Sequence, residues 1–599
     1  MEHIDVKLFA FVVNMEVKMS QKTKLRALIV VCILSLLLFS LASCKTVQKT
    51  EQAQPTQPVI GETKAPSEKS ITILIAEDPP SFNAMISDTG YDALVMELVL
   101  LSLTDIDPQG NIFPELAAEL PSLENGGVSD EENGTMLVTW KMRSDIEWAD
   151  GKPVTADDVL FTWSAINDPE TGSWIPGIDY IDSVDKVDDY TFTVQYNTVY
   201  PGYLTQFGGE QLVIWPAHYC DAEQGYAAWD CGRKPLSDGP FVLKEWEAGD
   251  HMTFVRNPRY YQSGKPDIDQ VIVRTVPDAS VRKTMMIKGD ADISMWVTEP
   301  IVHDLEGEAN VKVSFSPQSR WVMRLFFNQA AKGTVDPVAK PHPVLSDLRV
   351  RRAIRMAIDV ETISKNIFFG YGKTVWTDFS RYPYACDIPR PMYDPKSAIT
   401  LLEEAGWTDQ NGDGVRECNG CQTAEQGYPM EMELITYSEY GEPLVLTQQL
   451  IGEMLDKIGI KLNLTVVEGS VLWADSESGG IEQTGNFDID LWDDGYGGID
   501  PTDFIWELYS DDAATPDYGW NIGRWMNADF NALLDEAYTL DEARRKEIFC
   551  QMAEIMDQEV PVVLMFTTIN ADAYSPRLEG VQSTINDLVT WNVADWKIK

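Results

Sequence analysis

Apolar positions along the chain follow three regimes. Residues 27–41 form an apolar run whose only polar members are Ser35 and Ser40, with Lys22, Lys24 and Arg26 before it and Ala42 and Ser43 after it. A spanning helix needs about 20 such residues, so this basic, apolar, small-residue order predicts a secretory signal over 1–44. Met15 or Met19 offers a second start, which would make 1–18 an extension. Over 45–70 the periodicity gives way to KTVQKTEQAQPTQPVIGETKAPSEKS, whose Gln, Thr, Pro and Lys predict a flexible tether. After residue 70, strand and helix periods alternate. Ile71–Ala76 reads as a buried strand stopped by Asp78-Pro79-Pro80, and Tyr91–Leu101 as a helix. Met136–Met142 and Thr191–Tyr196 alternate as half-buried strands. Thr155 caps a helix with Val159, Leu160 and Trp163 on one face, and Asp347 caps another with Val350, Ala353, Ile354, Ala357 and Ile358 at helical spacing. Internal repeats are absent, and no later apolar run reaches spanning length.

At 599 residues the chain has room for several domains, and with 44% hydrophobic and 10% aromatic residues most of it should fold. Its 94 Asp and Glu against 47 Lys and Arg give a net charge of −47, or −49 without residues 1–44. Such a field repels phosphate backbones and excludes nucleic acid as a partner. The cluster Arg349, Arg351, Arg352 and Arg355 therefore reads as a solvated face or a set of interdomain ion pairs. Six cysteines follow residue 44, an even number suited to an oxidising compartment. Cys220 and Cys231 close a short loop and should pair. Cys418-Asn419-Gly420-Cys421 has the spacing of a tight disulfide, half a zinc site or a redox pair. With no second Cys-x-x-Cys and no nearby His, a structural disulfide is favoured and no metal is expected. Spacing leaves the partners of Cys386 and Cys550 open.

Several segments then occur in an ordered series. MLVTWKMRSDIEWADGKPVTADDVLFTW (136–163) is followed by GPFVLKEWEAGDHMTFVRNPRYYQSGKPDIDQVIVRTVPDAS (239–280), KGDADI (288–293), DLRVRRAIRMAID (347–359), YDPKSAITLLEEAGW (393–407) and DPTDFIWELYSD (500–511). The series resembles the family 5 extracellular solute-binding proteins, the peptide and nickel receptors of ABC importers, over nearly all of 71–599. Leu41-Ala42-Ser43-Cys44 likewise resembles a bacterial lipobox, which implies acylation at Cys44 and a lipid-anchored, extracytoplasmic protein. The resemblance implies an α/β fold of the type II periplasmic-binding-protein class: two hinged α/β lobes with an extra inserted domain, as in cluster C. Segment order then assigns 71–103, 236–316 and 568–599 to lobe I, 104–235 to the inserted domain and 317–567 to lobe II. It implies a monomer without cofactor that closes on a solute and delivers it to a permease. Separate ATPase subunits would power transport, since Gly370-Tyr371-Gly372-Lys373-Thr374 lacks the upstream Gly of a P-loop. Trp148-Ala149-Asp150-Gly151, and Asn257-Pro258 with Tyr260 and Tyr261, read as scaffold turns with aromatic anchors.

The enzyme alternative and two segments bear on ligand chemistry. A secreted glycoside hydrolase would use two carboxylates and aromatic platforms, but 94 carboxylates make nearby pairs inevitable. Gly-x-Ser-x-Gly and His-Glu-x-x-His are both absent, so a binding protein is favoured over an enzyme. Asp409–Val415 has the oxygen spacing of half a calcium loop, but position twelve is Gly420 where an EF-hand has a bidentate Glu; a polar Asx/Gly turn is the favoured reading. The second segment is LWDDGYGGIDP (491–501). In the family's peptide receptors a Trp precedes by three residues an Asp that pairs with the peptide ammonium, and Pro follows four later. Here alignment on Trp492 puts Gly495 at that place and alignment on Pro501 puts Gly497 there. Trp492, Asp493, Asp494 and Tyr496 are the expected ligand contacts, with an oligopeptide as leading solute and an oligosaccharide as the alternative.

Overall fold

A computed structural model describes residues 69–83, 90–130, 134–168, 175, 177–208, 212–221, 229–316, 319–586 and 588–599. The signal, the lipidation position Cys44 and nearly all of the tether lie outside these residues. Ser70–Ile75 forms the first strand and obeys period two: Ile71, Ile73 and Ile75 enter one apolar core and Leu74 another. It pairs in parallel with Gln270–Thr275 and Ile293–Ser294 at the centre of a seven-stranded sheet. Across that sheet the order is 312–315, 571–574, 293–294, 70–75, 270–275, 251–256 and 241–247. A four-stranded antiparallel sheet (128–130, 136–141, 191–196, 181–188) shares the larger of these cores. Trp140 and Phe192 stack inside it, and Trp148, fully buried, donates its indole N–H to Asp158 at 3.3 Å.

The second large sheet runs 461–467, 431–437, 489–494, 322–327 and 562–567. Met323, Leu325 and Phe327 face one core, Val322 and Phe326 the other, so both faces are covered. The large sheets are joined where Ser316 and residues 319–321 leave the first and where 568–570 return to it. These crossing segments hydrogen-bond each other: Ser316 N–H donates to the Asn570 carbonyl (2.9 Å) and Thr568 N–H to that of Trp321 (3.0 Å).

Local pattern and tertiary demand diverge at three places. The helix beginning at Tyr91 ends at Glu97, short of Leu101, because the backbone of 98–101 is recruited by residues 238–241. Phe241 N–H donates to Leu98, Gly239 N–H to Val99, and Asp238 Oδ1 accepts from Leu101 N–H. In the helix Ala156–Ile166 the buried face runs through Asp158, Val159, Thr162, Ala165 and Ile166, leaving Leu160 and Trp163 half-buried against the core. The arginine cluster on Leu348–Ala357 is neither a solvated face nor mainly a set of ion pairs. Arg351, Arg352 and Arg355 reach the C-terminal end of the helix Glu542–Glu559 and donate to the carbonyls of Asp557, Gln558, Glu559 and Val560 at 2.6–3.3 Å. Those carbonyls have no intrahelical donors, and the helix end carries partial negative charge, so guanidinium groups cap it.

All six cysteines are paired: Cys220 with Cys231, Cys418 with Cys421, and Cys386 with Cys550 across 164 residues. Asp409, Asp413 and Glu417 bring carboxylate oxygens within 4.8 Å of one another. The loop also satisfies itself, with Asp409 accepting from the N–H groups of Gly412 (2.7 Å) and Gly414 (3.1 Å), as an Asx turn does. Among the described residues no helix is long and apolar enough to cross a membrane.

Candidate functional site

The strand Ile489–Asp494 lies in the middle of the second sheet and ends beside the crossing segments. Period two divides its residues between faces. Ile489 and Leu491 enter one core while Trp492, with Asp490 and Asp494 in phase, faces the other. Trp492 and the two aspartates are thus brought together at one strand end, but the adjacent carboxylates leave it on opposite sides. Asp493 accepts from Thr568 Oγ1 on the returning segment (3.1 Å) and from Tyr437 Oη (3.3 Å). Asp494 accepts the N–H of Gly495 (2.7 Å). Tyr496 lies beyond the turn, its ring under the Arg381 guanidinium (4.3 Å) and its carbonyl accepting from Arg381 Nη1 (2.7 Å).

Aromatic rings wall this strand end. Trp492 stacks on Phe326 (4.9 Å), Trp473 meets Trp492 edge-on (6.2 Å), and Tyr437 packs on Trp473 (4.9 Å). Trp492 is 9% exposed and its indole N–H has no partner among the described residues. A buried donor left unmatched is costly, and here the ring that carries it packs against Phe326 and Trp473.

Electrostatically the region carries more carboxyl groups than cations. Burial pushes Asp494 up to about 7, only partly offset by Arg324. Burial raises Asp493 as well, and takes Glu507, on the helix Thr502–Tyr509, to about 7 with Asp494 adding to it. Beneath the strand, fully buried Asp490 is pushed to about 7 and Glu482 well above its ordinary value, burial leading and Asp490 reinforcing the second. Three buried cations stand against these carboxyls: Arg524, which donates to the Glu482 carbonyl (3.0 Å), Arg381 over Tyr496, and Arg324, whose Nη1 lies 2.6 Å from Asp378 Oδ1 and whose Nη2 donates to the Asp494 carbonyl (3.2 Å). Tyr509 Oη donates to the other Asp378 oxygen (2.8 Å). Burial opposes the charge on Arg324 and is the largest single influence, but Asp378, Tyr509 and Asp494 together outweigh it and raise its pKa.

Sequence reasoning missed Arg324, Asp378, Glu482, Asp490, Glu507 and Arg381. Arg324 did leave a sign: an Arg inside the six-residue apolar strand VMRLFF has to find a buried partner. The others stand in segments with no such contrast. Chemically the arrangement suits binding. It has surplus buried carboxyls for a cationic group and aromatic faces, and among the described residues no Ser–His or Cys–His pair stands beside them.

Residues 111–516 match the model of the bacterial extracellular solute-binding proteins, family 5. The oligopeptide-binding protein AppA of Bacillus subtilis is 24% identical over 576 residues, covering 94% of this chain and 96% of that protein. Its structure in complex with a nonapeptide superposes with a TM-score of 0.66 at 22% identity, over 88% of this chain and 99% of that one. NikA from Brucella suis, in complex with Fe(III)-EDTA, superposes with a TM-score of 0.73 at 19% identity, over 88% and 100% of the two chains.

Proposed function

The chain belongs to the bacterial extracellular solute-binding proteins of family 5, and we propose that it is the lipid-anchored receptor of an ABC importer whose leading solute is an oligopeptide. In this reading Cys44 carries the lipid and 45–70 is the tether. Lobe I is built from 71–103, 236–316 and 568–599, the inserted domain from 104–235 and lobe II from 317–567. The lobes close on the solute about the crossing segments, and the closed form is read by a permease driven by separate ATPase subunits. The protein acts as a binder and leaves the solute chemically unchanged.

One observation carries the peptide reading. At the end of the strand Ile489–Asp494, Asp493 and Asp494 present carboxylates to either side and Trp492 adds a buried indole N–H without a partner among the described residues, a set that offers acceptors to an ammonium and a donor to a carbonyl. That AppA of Bacillus subtilis is named as oligopeptide-binding agrees with it. The tiers Phe326–Trp492–Trp473–Tyr437 favour a second reading, an oligosaccharide stacked on aromatic faces. Mass spectrometry of the small molecules released when the purified protein is denatured tests both: peptides support the first, neutral sugars the second. Lipid anchoring is tested by fractionation, Cys44→Ser moving the protein out of the membrane fraction. Equal membrane retention of variant and wild type would refute the anchor.

A further inference from the structure

One apolar core runs from the first sheet (Ile71, Ile73, Val271) into the four-stranded sheet (Val138, Trp140, Phe192), whereas the second sheet is wrapped in two cores of its own. Residues 104–235 are thus fused to the first sheet and face 317–567 across a boundary. Among the described residues of 317–567, the apolar side chains that pack against the first core are Tyr538 and Leu540. Beside them opens a cavity of about 720 Å³, lined mainly by 120–124 and 201–205 on one side and by 499–500 and 539–545 on the other. A boundary with so little apolar contact can part without exposing a core.

Hydroxyl groups bridge it. Tyr200 Oη donates to Asp503 Oδ2 (2.8 Å), the hydroxyls of Tyr180 and Tyr538 share a hydrogen bond (2.9 Å), and Tyr538 Oη reaches Asp503 Oδ1 (3.5 Å). Tyr180 and Tyr538 also meet edge to face (5.5 Å). Tyr200 is held ready by its own side. It is 4% exposed, and its seat is so close that a Cβ at Gly177 would stand 2.2 Å from its Cζ and one at Gly202 2.6 Å from its Oη. Opposite, Asp503 lies in the first turn of the helix Thr502–Tyr509, a short turn after the site strand Ile489–Asp494. Each of these polar atoms finds its partner within the set, so the contact is complete without any group from a solute. Burial lifts Asp503 to about 6, with Asp500 adding to it and Tyr200, Tyr538 and Arg545 holding it down. Glu507, on the same helix, feels its charge.

We propose that Tyr180 and Tyr200 of the inserted domain and Asp503 and Tyr538 of lobe II form a clasp, which keeps a fraction of the solute-free receptor closed and has to break for solute to enter or leave. The clasp rests on the hinged-lobe reading above and on no particular solute. Its residues are positioning residues: they act on the lobes and leave the solute to the strand end at 492–494.

The test follows single-molecule energy transfer between dyes at Val187→Cys and Val338→Cys, exposed positions on either side of the boundary, in protein stripped of solute. Cys44→Ser keeps the labels to those two sites. At pH 7 the wild type should show a closed and an open population. Tyr200→Phe removes one hydroxyl and keeps the ring, and should lower the closed-to-open ratio about tenfold, the scale for losing a hydrogen bond to a charged group. Tyr538→Phe should lower it in the same direction, and decides if Tyr200→Phe does not fold. Opening returns Asp503 to water and to its ordinary 3.8, so the closed form binds the proton more tightly and acid favours closure. From pH 7 to pH 5 the wild-type ratio should therefore rise about ninefold more than that of Asp503→Asn, which keeps the shape and an acceptor but cannot titrate. A stripped wild type that is wholly open, or two populations whose ratio none of these substitutions moves by more than about twofold, overturns the clasp and leaves the hinge standing. A single distance, the same in every variant and with the pooled small molecules released on denaturation restored, overturns the hinged reading and the clasp with it.

Discussion

A peptide ammonium seated against Asp494 must displace a proton from it. Asp494 stands at about 7, raised by burial beyond what Arg324 restores. At pH 6 the empty site therefore holds about 0.9 proton on this carboxyl, and at pH 7 about 0.5. Binding a cation favours the charged form and expels that proton. Apparent affinity should then rise about fivefold from pH 6 to pH 7, close to 1 kcal/mol. The peptide amino group contributes little, since its ordinary pKa of about 8 leaves it largely protonated across this range. Calorimetry at pH 6 in buffers of different ionisation enthalpy reads the proton count directly. Asp494→Asn should abolish most of the release and flatten the pH slope, any remainder belonging to Glu507, which is pushed to the same range. N-acetylated peptide should show neither effect. The empty protein carries the linked signature: with the folded pKa above the unfolded one, Asp494 adds stability that is complete below pH 4 and lost as pH rises through about 7. Heats independent of buffer in the wild type, or release unchanged in Asp494→Asn, would refute the assignment of this carboxyl to the ligand ammonium.

Arg351→Met should strip the donors from the end of the helix Glu542–Glu559 and leave buried carbonyls unmatched, a loss of about 2–4 kcal/mol visible as an earlier urea midpoint; an unchanged midpoint would contradict the capping role. Cys386→Ser with Cys550→Ser opens a cross-link spanning 164 residues, for which loop entropy predicts a loss approaching 5 kcal/mol, read by comparing denaturation of wild type and variant. Burial alone would raise Asp488, but His342 (3.0 Å) and the N–H of Glu433 (2.7 Å) hold it below its ordinary value. Its contribution should stand in full above pH about 4 and fade as pH falls through its lowered folded pKa, so Asp488→Asn should destabilise at pH 7 and by progressively less as the pH is taken down through the acid range.

The strands read most directly from the sequence, because MLVTWK and TFTVQY carry the period of two of a sheet with one buried face, while the short apolar run in SITILI suits a strand buried on both. Helix limits were less legible where distant backbone intervened. Nothing in Leu98–Leu101 announces that residues 238–241, some 140 positions away, will take its hydrogen bonds. The arginine cluster shows the same limit, since its partners are carbonyls at 557–560, which carry no side-chain signal. For the site, the cluster at 492–494 was visible as Trp beside two carboxylates. That Asp493 and Asp494 would part to opposite sides follows from strand alternation, but only once the segment is known to be a strand. Arg381 gave no warning, because its partners are the carbonyls of Tyr496 and Gly498, more than a hundred positions away and without side-chain signal.

Solution scattering on the ligand-stripped protein, before and after saturation with the solute it releases on denaturation, bears most directly on the claim of a hinged receptor. The account predicts a smaller radius of gyration with ligand, accompanied by a higher melting temperature and recovery of the solute intact at one equivalent per chain. A saturated protein of unchanged dimensions, or a solute recovered cleaved, would contradict it.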